Sequence, residues 1–176
     1  MHKITTEARR AQRNTELKGL KGENRKPRRH GEHRETQRNM KMVTQKYINE
    51  ISYKIIGCAI EVHKHLGPGL LESVYEACFI DEMRSMGLNV KSQVYVPIHY
   101  KGKDLGGVLK LDLLVNDIII VEDKAVEQMI PLYKAQLLSY LKLVGKPKGL
   151  LINFNCENIK EQLVSLVTKE FALLPK

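Results

Sequence analysis

Apolar residues recur along this chain with two different periods. Between Val43 and Leu66 they fall at Ile48, Ile51, Ile55, Ala59, Val62 and Leu66, three or four apart, which predicts a helix. Thr44 suits its start and Gly67-Pro68-Gly69 its stop. Leu70–Met86 repeats the pattern at Leu71, Val74, Tyr75, Cys78, Phe79 and Met83, predicting a second helix that Gly87 closes. The period then shortens. Leu88–Tyr100 alternates at Val90, Val94, Val96 and Ile98, as a strand does. Lys101-Gly102-Lys103-Asp104 is a turn, and Leu105–Val115 a second strand with Gly106-Gly107 as a bulge or close-approach point. Ile118–Val126 is a third strand. Met129–Val144 returns to helical spacing with Leu132, Leu137, Leu138, Leu141 and Val144. Gly149–Asn155 reads as a short buried strand, and Glu157–Phe171 as a last amphipathic helix on Ile159, Leu163, Leu166, Val167 and Phe171. The order α-α-β-β-β-α-β-α predicts an α/β (α+β) domain: a hairpin-rich, four-stranded mixed sheet flanked by helices.

The stretch Lys110–Val126 breaks its own apolar pattern at chosen points. Two apolar runs, Leu111–Val115 and Ile118–Val121, flank Asn116-Asp117, the signature of a β-hairpin. Asp112 interrupts the first run, and Glu122, Asp123 and Lys124 close the second. A carboxylate inside an apolar strand is costly unless something pairs with it. An Asp on one strand and Glu-x-Lys on its neighbour offer two oxygen ligands for a hard divalent cation, with an ammonium beside them. Such a site makes a demand on register. A two-residue turn at Asn116-Asp117 pairs Asp112 with Val121 and turns Asp112 and Glu122 to opposite faces. The site therefore predicts a three-residue loop or a bulge in this hairpin.

Charge changes the picture at the N-terminus. Of the net +9, residues 1–41 contribute +8, with 13 Lys and Arg against 5 Asp and Glu, leaving the remainder near neutral. Residues 1–42 lack Phe, Tyr and Trp and hold few aliphatics, so they predict a disordered, low-complexity basic leader ahead of a domain spanning 43–176. A basic arm for nucleic acid, an extension without a role, and translation that starts at Met40 or Met42 are three accounts of it. No apolar run of about 18 residues predicts a membrane span, and the basic N-terminus lacks the apolar core of a secretory signal. Cys58, Cys78 and Cys156 are far apart and odd in number, which suits reduced thiols of a cytoplasmic protein. His63 and His65 stand two apart on a helix, a poor metal pair, and read as structural or solvent-facing.

Gly69-Leu70-Leu71-Glu72-Ser73-Val74-Tyr75 resembles the motif that gives the bacterial GxxExxY family its name. Asp112, Glu122-Asp123-Lys124 and Ala135-Gln136-Leu137-Leu138-Ser139-Tyr140 are similar to that family too, over about Thr44 to Asn155. The family is placed in the PD-(D/E)XK nuclease superfamily, whose αβββαβ core is similar to the element order above. The resemblance implies roles. Glu72 is the helix-borne acid, Asp112 and Glu122 the metal ligands with the Asp123 backbone carbonyl, Lys124 the catalytic lysine, and Gln136 an accessory residue. Glu72 is also a candidate ligand of a second ion, and Lys110, Tyr75 and Tyr140 are expected substrate contacts. Two positions depart from the family: Lys110 stands where Arg is common, and Tyr133 where His is common. Lys110 keeps the charge but loses bidentate phosphate geometry.

The implied activity is hydrolysis of nucleic acid, with DNA as the expected substrate and Mg²⁺ or Mn²⁺ as cofactor. The metal would activate a water, while Lys124, two residues from Glu122 and so on the same sheet face, would orient it or stabilise developing charge. A second reading keeps the nuclease fold as a binding module for nucleic acid or protein; the near-neutral core argues against it, since duplex affinity rests largely on phosphate neutralisation. A third makes Asp112, Glu122 and Lys124 a structural ion-pair network. A homodimer is compatible with cutting two strands, though no sequence patch argues for one.

Overall fold

The computed structural model of the chain describes residues 43–176, so the expectations for the leader lie outside the described residues. Helix α1 (Gln45–Leu66) starts where Thr44 Oγ1 accepts from Tyr47 N–H, and buries Ile48, Ile51, Ile55, Cys58, Ala59 and Val62 along one face. Its first turn also meets the C-terminus: Gln45 N–H donates to the Pro175 carbonyl at 2.7 Å, satisfying a donor that the helix cannot. Helix α2 (Glu72–Ser85) buries Tyr75, Phe79 and Met83, four residues apart. Leu71 and Val74, expected in that stripe, are exposed instead. Leu71 is the cap residue with extended backbone, and Val74 lies one residue off the Tyr75–Phe79–Met83 row.

Strands β1 (Val90–Tyr100), β2 (Lys103–Val115), β3 (Ile119–Lys124), β4 (Lys148–Asn153) and β5 (Leu163–Val167) form one sheet in that spatial order. β3 and β4 are parallel, joined by helix α3 (Pro131–Val144), and the other neighbours are antiparallel. The glycine pair in β2 makes the expected bulge: pairing passes from Pro97↔Val108 to His99↔Asp104, with Gly106 at φ +66. Alternation sorts the sheet into two faces. Leu113, Val115, Ile119, Val121, Leu150 and Ile152 meet α1 and α2, and Leu114, Ile120 and Leu151 meet α3 through Leu137 and Leu141. The α3 contact is close. A Cβ on Gly149 would come within 2.9 Å of Leu137 Cδ1, so only glycine lets the helix lie this near β4.

The expected C-terminal helix over Glu157–Phe171 is not formed. A short 3₁₀ turn (Ile159–Gln162), strand β5 and the four-residue helix α4 (Lys169–Ala172) replace it, and the sheet has five strands, not four. The reason is tertiary. Without a neighbour the outer edge of β4 would carry unpaired backbone groups on a fully buried strand, and Leu163–Val167 supplies the partner. Helix spacing in this segment is also compatible with that alternation, since Val164 and Leu166 pack on the α3 face and Leu163 on the other. The three cysteines are free thiols. His63 Nε2 hydrogen-bonds the Cys156 carbonyl at 2.7 Å and His65 sits exposed on Glu61. Among the described residues no helix is long and apolar enough to cross a membrane.

Candidate active site

The β2–β3 hairpin is closed by three residues. Val115 pairs with Ile119, Leu114 with Ile120 and Leu113 with Val121, leaving Asn116, Asp117 and Ile118 in the loop. Asn116 and Asp117 carry the turn at φ 51° and 58°, a left-handed region that Asn and Asp tolerate. Asn116 is held from outside by two bonds to the Asn89 backbone, and Asp117 by Lys91 at 2.7 Å. One step further in this register, Asp112 stands across from Glu122, as the metal-site reading required. Asp112 N–H donates to Glu122 Oε1 at 3.4 Å.

Strand parity then separates the Glu-Asp-Lys run. Ile120 belongs to the α3 face, so Glu122 and Lys124 follow it there, while Asp123 follows Val121 toward the α1 and α2 side. Lys124 Nζ donates to Asp112 Oδ2 at 2.9 Å and to the Asp123 carbonyl oxygen at 2.8 Å, and lies 3.7 Å from Glu122 Oε2. One ammonium thus lies beside three of the four oxygen groups that the resemblance assigns to metal binding, Glu72 being the fourth.

The neighbouring strand is distorted at the same level. Gln93 lies in β1 between the pairs Ser92↔Leu113 and Val94↔Leu111, across from Asp112, and has φ 53°. Leu111 packs on the α3 face and Leu113 on the opposite one, so the alternation of β2 slips at Asp112. Positive φ is uncommon for a non-glycine residue and clusters at functional sites. Gln93 Nε2 also donates to Glu76 Oε2 at 2.7 Å.

Burial dominates the electrostatics. It pushes Glu122 up to about 8, with the adjacent Asp112 charge adding to the effect. It also pushes Asp123 up to about 8, reinforced by Asp112 and Glu76. Asp123 is fully buried, and among the described residues neither carboxylate oxygen has a hydrogen-bond partner. Burial alone would lower the Lys124 ammonium; the bond to Asp112 and the charges of Asp112 and Glu122 outweigh it and raise its pKa. Glu76 is raised by its burial, against the bond from Gln93.

The other expected residues divide. Gln136 and Tyr140 are half-buried on α3, one turn apart, and Gln136 Nε2 donates to the Tyr140 hydroxyl. Glu72 is exposed at the first turn of α2; its charge reaches Asp123 and Lys124, but among the described residues no ion pair joins it to them. Lys110 is exposed and lies opposite Tyr95 on β1. Tyr75 is not available as a substrate contact. It is 0 % exposed, its ring stacks on Phe154 at 5.0 Å, and its hydroxyl donates to the Gly67 carbonyl and accepts from Leu70 N–H. It fixes the loop in which Gly69 holds φ +99.

Two asparagines that the sequence reading passed over also brace the site. Asn153, level with Lys124 in the β3–β4 register, bonds both the N–H and the carbonyl of Val126. Asn155 Oδ1 accepts from Gly69 N–H at 3.0 Å, tying the end of β4 to the loop that delivers Glu72. Their signal was an Asn at the end of a fully buried apolar strand, where polar atoms must find partners.

The donor set fits a hard divalent ion. Among the described residues no three His, Cys, Asp or Glu side chains converge to hold a metal by themselves. Two carboxylates and a carbonyl remain, which suits an ion such as Mg²⁺ that keeps several waters. Their common contact with an ammonium marks the point as one that attracts a cation.

Helix, antiparallel β1–β2–β3, helix and parallel β4, with Asp112 and Glu122-x-Lys124 on the central pair, define a nuclease-type fold. The chain belongs to the PD-(D/E)XK nuclease superfamily, whose family model matches residues 49–166. Among curated proteins and among solved structures, nothing matches the chain.

Proposed function

We propose that this protein is a divalent-metal-dependent nuclease that hydrolyses phosphodiester bonds, with DNA as substrate, and that within its superfamily it is a GxxExxY protein. The observation that carries the reading is the convergence of Asp112, Glu122 and the Asp123 carbonyl around one cation-binding point, with Lys124 at hand. Asp112, Glu122 and the Asp123 carbonyl would hold Mg²⁺ or Mn²⁺, which supplies an activated water and polarises the phosphate. Lys124 is the cationic group for the charge that develops on the phosphate oxygens. Gln136 and Tyr140 orient water or phosphate by hydrogen bonds without adding charge. Lys110 attracts the backbone from the exposed surface of β2. Glu72 is the residue for a second ion or its water shell. The reduced thiols suit action in the cytoplasm.

A second reading, a nuclease-fold binding module, draws support from the closed contacts of Lys124 with its acidic neighbours. One experiment separates the two. The full chain is offered single-stranded, duplex and branched DNA and RNA with Mg²⁺ or Mn²⁺, beside folded Asp112→Asn and Lys124→Ala proteins. Metal-dependent cutting lost in both variants supports the nuclease and names its substrate. Binding without cutting by the folded wild type favours the module.

A further inference from the structure

Lys124 does more than stand beside the candidate metal ligands. Its ammonium is bonded to Asp112 Oδ2 and the Asp123 carbonyl at 2.9 and 2.8 Å, with Glu122 Oε2 at 3.7 Å. An ammonium has three donors, and three oxygens face it. The pocket is tight: side-chain exposures are 15 % for Lys124, 21 % for Asp112 and 5 % for Glu122. An Mg²⁺ ion binds its oxygens at about 2.0–2.1 Å. An ion held on the same three oxygens would lie within a few ångströms of the nitrogen, and two positive charges that close in a largely buried pocket repel strongly.

Resting on the metal reading above, we infer that the Lys124 ammonium and a divalent ion are mutually exclusive occupants of one three-oxygen site, so that loading the site drives the lysine out. The lysine is an internal competitor for its own cofactor. The backbone need not move, because Phe154 N–H anchors the Lys124 carbonyl at 2.8 Å. The flexible four-carbon stem absorbs the change. Expulsion also has a chemical consequence. The ammonium gives up its contacts with Asp112 and Glu122 and becomes available to an incoming phosphate. The site then presents its lysine to substrate only after the metal is in place.

The test needs no nuclease assay. Mn²⁺ binding to the full chain is titrated by electron paramagnetic resonance for the wild type and Lys124→Met, with folding followed by circular dichroism. In parallel, the wild type is acylated with an amine reagent with and without Mn²⁺, and labelling of Lys124 is read by peptide mass spectrometry against the exposed Lys110 and Lys134. The expected results are tenfold or tighter Mn²⁺ binding by Lys124→Met and a several-fold rise in Lys124 labelling on metal addition, reversed by chelation. Mn²⁺ that binds the wild type while Lys124 stays protected overturns the inference, because the lysine then remains on its carboxylates beside the ion. That labelling does not depend on whether the variant folds. Absence of Mn²⁺ binding to both the wild type and a folded Lys124→Met overturns it together with the metal reading. Metal-driven release of Lys124 without cutting of any substrate leaves the inference standing and counts against the nuclease alone.

Discussion

Asp112 and Glu122 face each other across β2 and β3 because three residues, not two, close their hairpin. With Asn116, Asp117 and Ile118 in the loop, both side chains reach the same point, and the Asp112 N–H donates to Glu122 Oε1. A loop shorter by one residue would turn Glu122 and Lys124 toward α1 and α2. Asp112→Asn keeps the shape and removes the charge of one of the two carboxylates proposed to hold the metal. Metal-assisted stabilisation of the transition state is worth several kcal/mol, so cutting should fall by at least about 10²-fold. Cleavage rates at saturating Mg²⁺, with circular dichroism to verify folding, check this; near-normal rates would remove Asp112 from the mechanism.

Asp123 is expected to destabilise the fold. Among the described residues its two buried oxygens have no partners, which costs about 1–3 kcal/mol. Asp123→Leu should therefore raise the urea midpoint of the metal-free protein at pH 7. The pH dependence has a definite sign. A carboxyl raised to about 8 in the folded protein keeps its proton where the unfolded chain, with a value of about 4, has lost it. Stability thus falls as pH rises from about 4 to about 8, and Glu122, also raised to about 8, contributes in the same direction. Removing Asp123 should flatten that slope without abolishing it. A variant that is less stable, or one with an unchanged slope, contradicts this account.

Tyr75 belongs to the loop, not to the substrate. Tyr75→Phe deletes two hydrogen bonds of its hydroxyl, one donated to the Gly67 carbonyl and one accepted from Leu70 N–H, each worth about 0.5–1.5 kcal/mol. A loss of about 1–3 kcal/mol is expected in urea unfolding, with substrate affinity unchanged. A large rise in KM without loss of stability would return Tyr75 to the binding surface.

What could be read from the sequence follows from how local each signal is. The first helix was legible because six apolar positions in α1 repeat at helical spacing and Thr44 caps them. The three-residue hairpin was legible because the chemistry of Asp112 and Glu122 excludes the other register. β5 was not, because Leu163, Leu166 and Val167 fit a helix as well as a strand, and the edge of β4 decides between them. Tyr75 misled for a related reason. A motif groups it with Glu72, and only the fold turns its hydroxyl back onto Gly67. The position of Lys124 on its acidic neighbours depends on a side-chain conformation, which no spacing in the sequence encodes.

Asn153 should matter as much as a core residue. Its side chain bonds the N–H and carbonyl of Val126, and its oxygen also accepts from Asn155 N–H at 3.2 Å. Asn153→Ala leaves those backbone groups without their partner two residues beyond Lys124. A cost of about 2–4 kcal/mol is expected from the unsatisfied groups. Faster amide exchange at Val126 and Asn155 in the folded variant would locate the damage. Unchanged exchange at both would show that water replaces the clamp.

Lys124 also balances charge in the metal-free protein. Without it, Asp112 and Glu122 stand together in a largely buried pocket with no cation between them. A fully buried pair broken on one side costs about 3–5 kcal/mol; with the partial exposure here, about 2–3 kcal/mol is expected for Lys124→Met. Mn²⁺ should return most of that loss, since an ion that binds only the folded state stabilises it in proportion to the logarithm of its concentration. Thermal unfolding in chelator and in millimolar Mn²⁺ tests the pair of effects. A purely structural ion-pair network predicts the first loss without the second recovery, and a variant whose midpoint in Mn²⁺ stays at its chelated value would favour that reading over a metal site.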